Sequence, residues 1–431
     1  MRRYALVGTG GRSWIYIEAL TGPHSDEGML VGLCDKNQGR ARLRQTEVMA
    51  ATGSKVPTFS ATQFEKMIAE QHPDEIIVTT GPDRTHSEYI IRAMEAGCDV
   101  ISEKPMTIDA GKCRAILEAR ARTGRRLRVT FNYRYSPPRR QVKRIILEGA
   151  IGEVLSAKFS WHLDTKHGAD YFRRWHRERA NSGSLLVHKA THHFDLVNWW
   201  LDDVPEEVFA HGSRRYYTPQ RADEMGLTDR GERCTGCAAA SRCPFFMNMD
   251  ENEDMVNLYR NNEHLDGYFR DRCVFGDEVD IWDTMSLTVK YRKGAILSYL
   301  LHAYSPVEGY RIDFNGTKGR LEHVANEASY VSGDGSIPGE LESGRVSTTL
   351  IPEFEKPRSV EVESGEGGHG GGDPAMLQDL FGSEIRPDPL GQRATHVDGT
   401  FSILIGVAAA ASIESGETVK IGDLIGDTPL G

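Results

Sequence analysis

The residue types best suited to chemistry begin with Gly8-Thr9-Gly10-Gly11-Arg12-Ser13, directly after the apolar run Tyr4-Ala5-Leu6-Val7. A glycine turn between a strand and a helix lets backbone amides approach a dinucleotide pyrophosphate at the helix N-terminus. Gly8 suits the tight turn and Gly10 the close approach, with Gly11 and Arg12 completing the loop. Ser13 stands where a third glycine is usual and is small enough to fit. Asp35 ends the second apolar run, at the spacing where a carboxylate accepts both ribose hydroxyls and repels a 2′-phosphate. NAD is therefore expected over NADP, although Lys36 and Arg40 are nearby cations that argue the other way. Further on, Glu103-Lys104-Pro105 sets a lysine at a strand end, where its ammonium can reach a carbon that exchanges hydride. In this order the two signals point to a nicotinamide-dependent oxidoreductase.

These residues need a parallel sheet to position them. Short apolar runs at Tyr4–Val7, Leu30–Cys34, Glu75–Thr79, Asp99–Ser102 and Leu127–Thr130 alternate with helical patterns, which predicts a doubly wound sheet. The helix from Ser87 to Glu95 carries Tyr89, Ile90, Ala93 and Met94 on one face and stops at Gly97. After Arg134 the pattern changes to α+β. A helix is expected over Arg139–Glu148, a strand from Ile151 to Val154, and a hairpin from Met285–Tyr291 and Ala295–Tyr304 around Lys293-Gly294. Arg311–Asn315 and Arg320–His323 add antiparallel strands. The fold class is thus α/β: a Rossmann domain over 1–130, then an α+β domain over 131–431 with a large, open, mostly antiparallel sheet. The uncovered face of such a sheet invites a second copy, so a homo-oligomer, dimer or tetramer, is expected.

A chain of 431 residues, 39% hydrophobic, can bury a core in each of two domains. Its formal net charge of −10 argues against affinity for nucleic acid or anionic membrane. No uninterrupted apolar run stands out as a membrane span, and a strand begins at Arg3 without a signal segment; a cytoplasmic location is expected. Ser364–Asp373 is rich in glycine: a flexible linker, or a backbone turn delivering His369 or Asp373 to a site. Residues from about 213 to 280 are polar and form an insertion. Within it, Cys234-x-x-Cys237, Cys243 and Cys273 could hold a structural zinc; reduced thiols and an iron–sulfur cluster are the alternatives. Cys34, Cys98 and Cys113 fit buried free thiols of the first domain.

The chain resembles the Gfo/Idh/MocA oxidoreductases through Thr79-Thr80-Gly81-Pro82-Asp83-Arg84-Thr85-His86, Glu103-Lys104-Pro105-Met106, Phe131-Asn132-Tyr133-Arg134 and Gly316-Thr317-Lys318-Gly319. The resemblance implies that Thr80, Pro82 and His86 line the nicotinamide ribose, that Glu103 and Lys104 meet nicotinamide and substrate hydroxyl, and that Asn132 helps bind cofactor or substrate. The family's Asp-x-Gly-x-His motif reads here His188-Lys189-Ala190-Thr191-His192. His192 keeps the histidine position, His188 replaces the aspartate, and Lys189 is an extra acid or base. That departure resembles the branch of NAD-dependent, redox-neutral glycosidases, which includes sulfoquinovosidases and oxidises a ring hydroxyl, C3, transiently.

General acid–base help of roughly 10²–10⁴-fold is needed to move the hydroxyl proton. Lys104, His192, Lys189 and Tyr133 are the catalytic candidates, and His188 and His193 beside them are expected to bind substrate. Substrate contacts are expected from His162, Lys166, His167, Arg173, Arg174, Trp175 and Arg177, whose rings could stack on a sugar and whose cations could grip an anionic substituent such as a sulfonate. Three readings remain: redox-neutral glycosidase, net sugar or polyol dehydrogenase, and a non-catalytic NAD sensor.

Overall fold

A run of four apolar residues after Arg3 forms the first strand of a buried parallel sheet, and everything in the amino-terminal half is laid against it. The computed structural model describes residues 1–328, 346–365, 368–384 and 386–430. Its first sheet comprises β1 (Arg2–Val7), β2 (Gly28–Cys34), β3 (Thr58–Phe59), β4 (Glu75–Val78), β5 (Asp99–Ser102) and β6 (Leu127–Val129), in the order β3-β2-β1-β4-β5-β6. Every pairing in it is parallel. Helices cover both faces, which is why the strands are continuously apolar. The order reverses direction between β1 and β4, and the crevice beyond the carboxyl ends of such strands is where ligands bind in open α/β sheets. Gly8, Asp35, Thr79, Glu103 and Thr130 each follow directly on the end of a strand there. Five of the six strands follow the sequence expectation; β3, two residues long, leaves no periodic signal.

Among the described residues the second sheet has nine strands: β7 (Val154–Asp164), β8 (Pro205–Ser213), β9 (Thr284–Tyr291), β10 (Ile296–Ser305), β11 (Glu308–Gly316), β12 (Gly319–Ala328), β13 (Val346–Pro352), β14 (Arg358–Val360) and β15 (Val419–Lys420). Their order is β14-β13-β12-β11-β7-β10-β9-β8-β15, antiparallel throughout except where β10 runs parallel to β7. In the expected β9–β10 hairpin Tyr299 faces Leu287 and Leu297 faces Val289, and the buried face alternates with Ser286, Thr288 and Lys290 on the other. Buried residues of β7, β9 and β10 pack under the helices Pro137–Leu147, Ala190–Leu201 and His396–Ser415. On the opposite face Ile296 and Leu300 of β10 remain exposed.

The helix His396–Ser415 departs from the expectation that no segment is apolar enough to cross a bilayer. It is 20 residues long with mean hydropathy 1.4, and 67% of its apolar window is buried inside the protein. Its packing against the sheet makes it a core helix. The glycine-rich run is resolved differently from a linker. Helix Gly368–Phe381 begins in it, and a side chain at Gly372 would come within 2.4 Å of the Asn132 carbonyl oxygen, so the helix rests directly on the turn after β6. Glu366, Gly367 and the side chain of His369 lie outside the described residues.

The insertion leaves the sheet after β8 and returns at β9. Its neck is closed by buried Asp283, whose Oδ2 accepts from the amides of Arg215 (2.8 Å), Tyr216 (2.7 Å) and Tyr217 (3.2 Å). Short helices at Pro219–Glu224, Glu253–Leu258 and Glu263–Asp266 carry the rest of it back across the first domain.

Candidate active site

The crevice is shaped for a dinucleotide from its first residue. Gly8 has φ +95°, and a Cβ there would lie 2.5 Å from the Thr80 amide nitrogen, so only glycine lets β1 pass this close to the end of β4. Ser13 folds its hydroxyl back onto the Gly10 carbonyl (2.7 Å), which explains how serine serves in place of a third glycine. Asp35 accepts from the Thr9 amide (2.6 Å), the Thr9 hydroxyl (2.9 Å) and the Asn37 amide (2.7 Å), tying the glycine turn to the end of β2. Two carboxylate oxygens offer about four lone-pair sites, which leaves acceptor capacity for a ribose hydroxyl. Arg40 is engaged by Asp266 and stands 3.7 Å from Asp35, so it is not a free reader of a 2′-phosphate. The cradle therefore fits NAD.

The insertion completes this cradle. The Tyr259 hydroxyl accepts a hydrogen bond from the Gly11 amide (3.2 Å), and the Asn37 side chain donates to the Asn262 carbonyl (2.9 Å). Together with Asp266 on Arg40, three residues more than 220 positions away meet the glycine turn and the helix after β2. No local pattern in the sequence announces these contacts.

At the other end of the crevice lie buried groups held against one another. Glu103 accepts from Arg12 Nε (2.5 Å) and the Tyr16 hydroxyl (2.7 Å); burial raises its pKa, but Arg12 and these bonds bring it below the usual carboxylate value. Asn132 donates to Asp373 (2.7 Å), which in turn lies 3.7 Å from Arg12, so the glycine-rich helix delivers Asp373 to this site. His86 does not line the cleft. It is buried and bridges the Pro105 carbonyl (2.7 Å) and the Thr80 carbonyl (2.8 Å), locking the loop after β4 onto the turn that carries Lys104. The Gly81–Pro82 and Lys104–Pro105 peptide bonds are both cis.

Lys104 reaches across to the second domain, with Nζ 3.4 Å from the backbone carbonyl of His188. Burial pulls its pKa down to about 8, against the opposing pull of Asp83 and Glu103. Lys189 behaves differently. Burial pulls it down too, but Tyr133, Tyr171, Glu308 and Glu327 outweigh that and hold it above its ordinary value. Its Nζ donates to the Tyr133 hydroxyl (3.2 Å) and sits 4.9 Å over the Trp161 ring. Of the two roles expected for Lys189, acid or base, this direction favours the acid. The His192 ring stacks on Tyr133 with centroids 4.2 Å apart. His188 is hydrogen-bonded through Nδ1 to Asp83; burial drives the histidine pKa far down and the aspartate far up, the latter against the lowering pull of Lys104 and Arg174. A second chain runs from Glu308 through His167 (3.0 Å) to the Tyr171 hydroxyl (3.0 Å), and the Tyr171 ring lies edge-on to His188. Trp175 packs against Gly81 and stacks on His176 at 3.6 Å, walling the cleft beside the loop after β4.

Four of the predicted substrate residues are placed elsewhere. His162 alternates with buried Trp161 on β7, so it lies on the opposite face of the sheet, 3.0 Å from His302. His193 is fully buried behind Trp161 and bonded to the Tyr299 hydroxyl at 2.6 Å. Arg173 points into the insertion, donating to Cys234 Sγ (3.2 Å), and Arg177 pairs with Glu278 (2.9 Å). For His162 and Arg173 the cause is that the stretch from Trp161 continues as β7 and then turns into helix Thr165–Arg173, so neighbouring residues face different ways; Arg177 follows on the short turn Trp175–Arg177, and His193 lies on the side of helix Ala190–Leu201 that stacks on Trp161. Lys166 is exposed on that helix, and Arg174 pairs with Asp170 (3.3 Å) while remaining close enough to lower His176 and His188. The groups not singled out from sequence are Glu308, Tyr259, Asn262 and Asp266, and the role of Asp83 as partner to His188; only Asp83 had a local signal, its place beside Gly81-Pro82.

Residues 2–131 match the family model for the NAD-binding Rossmann fold of an oxidoreductase family, and residues 143–421 match that family's C-terminal alpha/beta domain. The chain belongs to the Gfo/Idh/MocA oxidoreductase family. It is 38% identical over 428 residues to the YteT protein of Bacillus subtilis (strain 168), spanning 97% of this chain and 95% of that one. An inositol 2-dehydrogenase of Rhizobium meliloti (strain 1021) is 28% identical over 208 residues, 48% of this chain and 57% of that protein. An oxidoreductase from Agrobacterium radiobacter, solved in complex with NAD+, L-tartaric acid and magnesium, shares the fold with TM-score 0.62 at 15% identity, over 98% of this chain and 99% of that one. This Gfo/Idh/MocA member is thus an NAD-dependent oxidoreductase, built as a Rossmann sheet joined to an open mixed sheet.

The cysteines require a correction. All seven are free, and among the described residues no three His, Cys, Asp or Glu side chains are grouped so that they could hold a metal ion. The expected structural zinc at Cys234, Cys237, Cys243 and Cys273 is therefore not supported.

Proposed function

We propose that this enzyme oxidises a ring hydroxyl of a carbohydrate or cyclic polyol, with Lys104 as the group that takes the hydroxyl proton. One observation carries the reading: an amine buried at the domain junction, pulled down to about 8, 3.4 Å from the His188 carbonyl of the facing domain. When bound, NAD accepts a hydride from carbon and can return it. Gly8, Gly10, Gly11 and Ser13 would hold its pyrophosphate, Asp35 its ribose, and Arg12, Thr80, Pro82, Glu103 and Asn132 would frame its reactive end. Neutral Lys104 removes the hydroxyl proton as the C–H bond breaks, which avoids an alkoxide in a desolvated cleft and is worth roughly 10²–10⁴-fold. Cationic Lys189, with Tyr133, stabilises negative charge gathering on a substrate oxygen, and the Tyr133–His192 stack fixes both rings. Kinship with an inositol 2-dehydrogenase supports the substrate class.

A second reading is transient oxidation at C3 within redox-neutral glycoside cleavage. It is favoured by the Asp83–His188 pair and the Glu308–His167–Tyr171 chain, more proton-handling groups than one oxidation needs. Oxidation at C3 acidifies the C2–H. One base then takes that proton, the glycosidic C–O bond breaks with a proton delivered to the leaving oxygen, water adds back, and the hydride returns to C3. A sulfonated sugar has less support once Arg173 and Arg177 are found facing the insertion. The open sheet face with Ile296 and Leu300 suits a second copy of the chain, and free thiols suit a reducing cytoplasm.

Incubation with NAD and a panel of free sugars, inositols and aryl glycosides tests both readings. Steady NADH accumulation establishes net oxidation, and aglycone release without NADH establishes the second reading. Silence toward the whole panel with cofactor bound contradicts both.

A further inference from the structure

The cleft carries more positive charge than hydride transfer uses. Asp170, on the helix Thr165–Arg173, meets two guanidinium groups at once: its Oδ1 pairs with Arg270 at 2.6 Å and its Oδ2 with Arg174 at 3.3 Å. Burial raises the Asp170 pKa, but Arg270 and Arg174 bring it down to about 2, so it remains a carboxylate and cancels one of the two charges. An arginine carries five N–H donors in a planar fork, and one oxygen apiece leaves most of them unused. Arg174 Nε is buried without a hydrogen-bond partner, and so is Nδ1 of the buried His176.

Both arginines are held in place. Arg270 comes from the insertion. Its neighbour Asp271 is buried and accepts from the Thr235 amide (2.8 Å) and Arg233 Nε (3.0 Å). The Arg270 guanidinium stands 6.0 Å from the Tyr259 ring, whose hydroxyl meets the Gly11 amide. Arg174 follows directly on the helix Thr165–Arg173 and precedes Trp175, which stacks on His176 at 3.6 Å and packs against Gly81. His176 lies edge-on to His188 at 4.0 Å, and the His188 carbonyl is 3.4 Å from Lys104 Nζ. Burial pushes His176 far below its ordinary value, and Arg174, Lys104 and Arg270 push it further. The two arginines therefore share one neighbourhood with Lys104, although they arrive from different parts of the chain.

A neutral sugar would leave the excess charge buried and unpaired, which is costly. A carboxylate neutralises it and can take two parallel N–H···O bonds from an arginine fork. The cofactor's own anion belongs elsewhere, at the glycine turn after β1, whereas these donors gather around His176 on the Lys104 side. We propose that Arg174 and Arg270 form a subsite for a carboxylate on the substrate, so that the preferred substrate is a uronic acid or another sugar acid. The assignment rests on the reading of the enzyme as a carbohydrate oxidoreductase and names its substrate class. One half of the recognition then comes from the insertion and the other from the second domain's helix end.

Titration calorimetry of the NADH-loaded full chain with D-glucuronate, D-galacturonate and their methyl glycosides, each beside its neutral counterpart, reads the subsite without turnover. At least one acid should bind about tenfold or more tightly than its neutral counterpart, and the same acid should show the higher kcat/KM with NAD. Arg270→Gln and Arg174→Gln should each weaken binding of that acid about tenfold, while NAD affinity stays within a few-fold. Arg270→Lys, which keeps the charge but not the fork, should restore part of the loss. Turnover of neutral sugars with no preference for any acid overturns this proposal alone. Silence toward every sugar and acid overturns the oxidoreductase reading and the subsite together. Weakened NAD binding in both glutamine variants, with acid binding unchanged, would assign the arginines to the cofactor's pyrophosphate and also overturn it. Should the variants fail to fold, the preference of the unaltered enzyme still decides.

Discussion

The dinucleotide crevice and the insertion that closes it are built by opposite means. In the crevice the positioning is local: each strand ends one residue before a group that matters, and Gly8, Asp35, Thr79, Glu103 and Thr130 are placed by the sheet itself. In the insertion almost nothing is local. Tyr259, Asn262 and Asp266 act only because a loop without a hydrophobic repeat is folded back over 220 residues of chain onto the glycine turn. The difference teaches where chemistry and where selectivity should reside. On the proposed function, the rigid sheet would hold the proton-transfer lysine, and the appended loop, through its contacts to Gly11, Asn37 and Arg40, would influence how the cofactor is held and told from NADP.

Substitutions on the sheet side should therefore have the largest effects. Lys104→Ala is expected to lower kcat by about 10²–10⁴-fold while leaving the NAD Kd within a few-fold, measured by turnover and fluorescence titration. Gly8→Ala forces a Cβ into the Thr79–Thr80 backbone and a left-handed φ costing about 1–2 kcal/mol, so NAD affinity should fall at least about tenfold. Lys189→Ala, removing the buried cation beside Tyr133, should lower kcat by about ten- to a hundredfold without moving NAD affinity. On the insertion side, Asp266→Ala frees Arg40 and should improve NADP binding relative to NAD by about fivefold. Tyr259→Phe deletes one hydrogen bond, worth about 0.5–1.5 kcal/mol, and should speed NADH release by about two- to tenfold in stopped-flow displacement. If the insertion variants abolished turnover while the sheet variants did not, the division of labour would be reversed.

The same contrast explains what the sequence made legible. The parallel strands and the β9–β10 hairpin follow from apolar periodicity, and Gly8, Asp35 and Lys104 are readable because strand ends place them. His162 and Arg173 leave the cleft because the stretch from Trp161 is a strand followed by a helix, where adjacent residues diverge, whereas His193 turns away on the buried side of helix Ala190–Leu201 and Arg177 on the turn Trp175–Arg177. The pattern there, Trp161-His162-Leu163-Asp164, does alternate with period two, and reading it that way separates His162 from Trp161. Lys189 could not be assigned a protonation state from sequence, since Glu308 and Glu327 come from another part of the second sheet. Asp373 was recoverable only as one of two candidates in a glycine run, and its partner Asn132 became visible once the helix Gly368–Phe381 was seen resting on the turn after β6.

The proton-transfer role of Lys104 is tested most directly by the pH dependence of kcat/KM for substrate oxidation, in the native enzyme and in Lys104→Ala. A lysine held near 8 is neutral above that pH, and only the neutral amine can take the hydroxyl proton. Oxidation should therefore rise with pH to a plateau beyond about 8, and the residual activity of the variant should lack that limb. A native profile flat between pH 7 and 9, or a variant that keeps both the limb and the rate, would contradict the assignment.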